Sequence, residues 1–194
     1  MMKSRATASL LVLFAFFSVA ASSAGHPLSP ELIANIKPPA AFAFRQAKKL
    51  TRQYPNTTCL DFTLTKSKRR IGYLCSTQSE KFLRDFGVFS VPQGPSTGES
   101  SQRREVSIAS GISSYPATRL ELKSGATIYA AQVDCDLKGG SVYRPTGTCY
   151  VAVRYLRHGG VLYGNFVLED HAGKATVATR EEIIILWESL PSID

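Results

Sequence analysis

Lys66, Lys68, Arg69 and Arg70 fall within five residues, near the middle of the segment CLDFTLTKSKRRIGYLC that runs from Cys59 to Cys75. Four positive charges on one turn attract phosphates, anionic lipid headgroups or acidic side chains over a long range. A second set, Arg45, Lys48, Lys49 and Arg52, recurs at i, i+3, i+4 and i+7. That spacing stacks side chains on one face of a helix. Together the two sets form one candidate binding face for an acidic protein, an anionic polymer or a membrane surface. The competing reading is that charged turns and outer helix faces are simply solvated.

Catalytic chemistry has weaker support. The chain has three histidines, His26, His158 and His171, and no Gly-x-Ser-x-Gly elbow. His158 and His171 fall in predicted turns, where an exposed imidazole is the default. Asp134 and Asp136 flank Cys135 on one strand face, and Glu169 and Asp170 precede His171. A small secreted hydrolase, most naturally a nuclease given the charge, would need one of these histidines beside one of these carboxylates. His26 would chelate copper only if processing left it at or near a new N-terminus; Pro27 removes the next amide donor. No spacing matches a metal or cofactor motif, so no catalytic residue, metal ligand or cofactor is assigned.

The elements that must position these residues begin with an export signal. Lys3 and Arg5 precede an apolar core over residues 10–17, and small residues over 20–25 supply a cleavage site after Ala24. The pattern predicts a signal peptide over residues 1–24 and a periplasmic or secreted protein. Without Lys3 and Arg5 the formal charge falls from +8 to +6. Residues 25–91 carry 11 Lys/Arg against 4 Asp/Glu, whereas residues 92–194 carry 10 against 11. The excess positive charge therefore belongs to the first half, which is where the candidate face lies.

Four cysteines, Cys59, Cys75, Cys135 and Cys149, suit two disulfides in an oxidising compartment. A Cys₄ zinc site would need closer pairs. The pairing Cys59–Cys75 fits a hairpin whose residue numbers sum to 134. That register sends Leu60, Phe62, Leu64 and Leu74 to one face and the disulfide to the other. Cys135–Cys149 is then the second bridge.

Around that hairpin, Ser29-Pro30 starts one short helix and the apolar spacing predicts another over residues 40–53, with the basic stripe on its outside. Thr77–Glu80 reads as a capping box opening a helix that Gly87 closes. Residues 92–104 form a Pro/Gly/Ser-rich loop, the one candidate internal boundary. Strands are expected over residues 105–112, 119–122, 127–137, 148–156 and 161–169, with a tight turn at 157–160. Thr179–Glu182 is a capping box for a last helix that buries Ile183, Leu186, Trp187 and Leu190. At an offset of 90, Tyr73 echoes Tyr163 and Cys59 echoes Cys149, too few identities to argue a duplication. Asn56-Thr57-Thr58 is an N-glycosylation sequon.

The expected architecture is a single α+β domain over residues 25–194, an antiparallel sheet stapled by two disulfides with helices near both ends. The expected role is that of an exported, non-enzymatic binding protein, of the inhibitor, immunity or effector type.

Overall fold

The computed structural model describes residues 36–92, 104–110, 113–137, 145–156, 160–173 and 175–190. The expected signal peptide, the helix expected from Ser29, His26, His158 and nearly all of the expected 92–104 loop lie outside them. In chain order the elements are β1 (Phe42–Gln46), α1 (Lys48–Gln53), β2 (Thr57–Leu64), β3 (Arg70–Thr77), α2 (Glu80–Asp85), β4 (Val88–Pro92) and β5 (Arg104–Ser110). They continue with β6 (Ser113–Pro116), β7 (Thr118–Glu121), β8 (Thr127–Cys135), β9 (Gly147–Tyr155), β10 (Val161–Asp170), β11 (Ala175–Thr176) and α3 (Arg180–Glu188).

The fold is mostly antiparallel sheet with a few small helices. The large sheet runs β1-β2-β3-β10-β9-β8-β7, with β11 on the end of β10, and β4-β5-β6 form a second, smaller sheet. Only Ala117 separates β6 from β7, so one extended run leaves the small sheet and enters the large one.

The β2–β3 hairpin has the expected register: Cys59 faces Cys75, Leu60 faces Leu74 and Phe62 faces Gly72. Both expected disulfides form, Cys59–Cys75 and Cys135–Cys149. The second lies diagonally across β8 and β9, where Cys135 faces Gly147 and Cys149 faces Val133. Because successive side chains on a strand alternate sides, the sheet buries two separate cores. Leu60, Phe62, Leu74, Ala152, Leu162 and Phe166 pack beneath α3 with Ile183, Leu186 and Trp187. On the other side, both disulfides, Val133, Val151 and Tyr163 pack against Tyr54, Phe82, Val88 and Ile108. Strands covered on both faces lose strict polar alternation, which is why β9 is buried from Gly147 to Arg154.

Helix ends follow local chemistry. The Thr179 hydroxyl accepts the Glu182 N–H at 3.2 Å and the Glu182 carboxylate accepts the Thr179 N–H at 2.8 Å, closing the predicted capping box. For α2 the cap is Ser79, which accepts from the Phe82 N–H, and Thr77 instead accepts the Ser79 N–H at 3.0 Å. Gly87 ends α2 with φ of +68°, a left-handed conformation that favours glycine. At Gly164 the reason is close approach: a Cβ there would stand 2.9 Å from Trp187 Cζ2 and 2.8 Å from Phe166 Cε2.

One expected element is wrong. Residues 40–53 do not form a single helix; residues 42–46 are the edge strand β1, and only Lys48–Gln53 are helical. Phe42 and Phe44 alternate with Ala43 and Arg45, a period of two that fits a strand as well as the apolar spacing fits a helix. The open edge of β2 decides it: Phe42 pairs with Leu64 and Phe44 with Phe62, placing both rings over the α3-side core.

Candidate functional site

Arg45, Asp61, Tyr73 and Asn165 face one another in turn on β1, β2, β3 and β10. The row continues into Val151 of β9 and Ala131 of β8. A polar track therefore crosses half of the disulfide-bearing face and runs into apolar floor. The helix α1 and the hairpin enclose a cleft of about 460 Å³ over its charged end. Lys48, Lys49 and Gln53 form one wall, Arg70 and Asp61 the other, with Tyr73 and Phe86 behind.

The eight predicted cations do not act alike. Arg70 donates from Nε to Asp61 Oδ1 at 2.8 Å, and its guanidinium lies 5.5 Å from the centre of the Tyr73 ring. Arg69 is ion-paired with Asp170, so the hairpin tip is tied to the end of β10. The Asp170 carboxyl is held below the usual carboxylate range first by the Gly173 N–H and then by Arg69. Among the described residues, Arg45, Lys48, Lys49, Arg52, Lys66 and Lys68 take part in no ion pair. Lys66 and Lys68 stand exposed at the tip, with Lys68 at φ of +55°. The structure thus brings Lys48, Lys49 and Arg70 into one cleft and commits Arg69 to the fold. Arg45 sits on β1 rather than on a helix face.

His171 is the one histidine described. Its Nε2 lies 3.0 Å from Thr148 Oγ1 and 3.8 Å from Glu169 Oε2, and with Asp170 it borders a hollow of about 390 Å³. Hydroxyl and carboxylate both meet the same ring nitrogen. A nucleophile–base–orienter relay needs them on opposite nitrogens, so this geometry supplies no relay. Asp134 instead accepts from the Tyr115 hydroxyl at 3.2 Å, a link to the small sheet. Among the described residues no group of three His, Cys, Asp or Glu could hold a metal ion. Asn56, the sequon asparagine, is exposed in the turn before β2.

No family model, curated protein or solved structure matches this chain.

Function must therefore be argued from the site. Two coarse properties are plain. The two disulfides fit an oxidising compartment. No helix among the described residues is long and apolar enough to cross a membrane. Sequence reasoning missed Tyr73, Tyr163 and Asn165 as site residues. The offset of 90 was the available signal: Leu74 faces Gly164, and Tyr73 and Tyr163 are diagonal neighbours about that pair, ring centres 6.1 Å apart. Burial first, and the neighbouring Tyr163 second, push the Tyr73 phenol well above its usual range. Burial pushes the Tyr163 phenol up to about 12. Both stay neutral at physiological pH and act as hydrogen-bonding groups.

Proposed function

We propose that this protein is an exported, non-enzymatic binding protein that holds an acidic protein segment in the cleft between α1 and the β2–β3 hairpin. One observation carries the reading: Lys48 and Lys49 of α1 converge with the Asp61-paired Arg70 of β3, about 20 residues away in sequence, on a concave surface floored by Tyr73 and Phe86. Carboxylates can meet Lys48 and Lys49, which have no acidic partner among the described residues, while apolar side chains lie on the rings. A concave cleft suits a projecting segment better than the flat surface of a membrane. Lys66 and Lys68 extend the same positive field without closing the cleft.

Poly-L-glutamate is a direct probe, with DNA and anionic phospholipid vesicles as competing arms. Lys48→Ser combined with Lys49→Ser should weaken poly-L-glutamate binding about fivefold at low salt. The difference should shrink as salt rises from about 50 to 200 mM. Equal binding by wild type and the double variant at low salt would overturn the reading, as would a preference for DNA or vesicles over the peptide. Arg69 and Arg70 are poorer targets, because removing either strands Asp170 or Asp61. The hydrolase reading retains one observation, the local meeting of His171 with Glu169 and Asp170. His171→Ala should leave poly-L-glutamate binding unchanged.

A further inference from the structure

Beyond Tyr73 and Phe86, which it shares with the cationic cleft, a second cavity of about 540 Å³ opens between the large sheet and the small one. Its volume falls in the range of roughly 300–1,000 Å³ found for small-molecule sites. Val133, Val151 and Tyr163 line it from the large sheet, and Ile108 and Phe89 from the small one. Phe89 stands at its side 48% exposed, one of two large apolar side chains so exposed among the described residues.

The uncharged polar groups of this cavity are Tyr73, Tyr163, Asn165 and Ser110, and Arg84, Asp85 and Asp136 add charge to its wall. Asn165 Nδ2 donates to the Tyr163 hydroxyl at 3.5 Å, and the Tyr73 hydroxyl interacts with both Tyr163 and Asn165. The carboxylate of Asp85, on the rim, is taken up by Lys81 Nζ at 2.5 Å and the Tyr54 hydroxyl at 3.1 Å. Two phenols and an amide offer hydrogen bonds to a neutral head, and Val133, Val151, Ile108, Phe86 and Phe89 offer apolar area to its body, while Arg84, Asp85, Ser110 and Asp136 stand elsewhere in the wall.

We infer that the cavity between the two sheets is a binding site for a small neutral molecule with an apolar, preferably aromatic, body and one hydroxyl or carbonyl head. The head meets Tyr73, Tyr163 and Asn165; the body lies against Val133, Val151 and Ile108, with Phe89 at the mouth. The site shares Tyr73 and Phe86 with the cationic cleft but neither of its lysines, Lys48 and Lys49.

Calorimetric titration of the intact, oxidised protein with 1-naphthol, and with naphthalene as the headless analogue, tests this. Wild type should bind 1-naphthol at one site and more tightly than naphthalene. Tyr163→Phe keeps the ring and removes the hydroxyl; it should weaken 1-naphthol about five- to tenfold and leave naphthalene nearly unchanged. Phe89→Ser, at an exposed position that cannot unfold the core, should weaken both compounds. Lys48→Ser with Lys49→Ser should alter neither. No binding of 1-naphthol to wild type, equal binding by wild type and Tyr163→Phe, or loss of binding in the lysine variant would each overturn the assignment.

Discussion

The phenol of Tyr163 makes one contribution to the alkaline loss of stability calculable. Its ordinary value of 10.0 rises to about 12 because burial disfavours the phenolate. Above pH 10 the unfolded chain gives up this proton first, so the folded state binds more protons and loses stability as pH rises. The contribution is flat below about pH 10, falls through the interval up to about 12, and levels off beyond it. Two pH units at 1.36 kcal/mol each set a ceiling near 3 kcal/mol, and about 2 kcal/mol of that is lost between roughly pH 9 and 11.5. Urea unfolding followed by the fluorescence of Trp187, the single tryptophan of the chain, reads the loss directly. Tyr163→Phe removes the titrating group and relieves the upward push that Tyr163 exerts on Tyr73. Its stability should therefore fall with pH by about 2 kcal/mol less than wild type over the same interval. Parallel curves, within about 0.5 kcal/mol, would refute the claim that burial in this cluster keeps the phenol protonated.

Two packing predictions accompany it. Gly164→Ala should cost about 1–3 kcal/mol in urea unfolding, because the new methyl meets Trp187 and Phe166 inside van der Waals distance. A smaller cost would show that α3 can shift outward easily. Thr179→Ala should cost about 1 kcal/mol by removing the cap that accepts the Glu182 N–H, and Thr179→Ser should restore most of it.

Wherever a local rule had a single solution, the fold was legible in the sequence. Cys59 and Cys75 fixed a hairpin register because only one alignment puts the cysteines opposite each other and Leu60, Phe62 and Leu74 on one face. Thr179 and Glu182 fixed the start of α3 for a similar reason. The stretch 40–53 failed because Phe42 and Phe44 satisfy two periods at once, and the choice was made by β2, an element about 15 residues downstream. β6 was missed because SSYP carries little apolar signal, and its pairing with β5 supplies the order. The candidate site was half legible. Charge clustering found Lys48, Lys49 and Arg70. It could not show that Arg69 and Arg70 are spoken for by Asp170 and Asp61, since the first of those contacts spans 101 positions of chain. Nor does any local pattern mark Tyr163 and Asn165, which matter only because β3 and β10 lie side by side.

Both disulfides lie on the same side of the large sheet, the side that carries the two clefts, while the α3 side is held without a covalent tie. The two faces therefore answer to different surroundings. In a reducing cytosol, Trp187, Phe166 and Ile183 would still have their neighbours, since their contacts need no oxidant. The floor made by β2, β3, β8 and β9 would lose its covalent ties. Under reducing conditions the helix α3 would stay seated on its side of the sheet, while the groove on the other side would slacken.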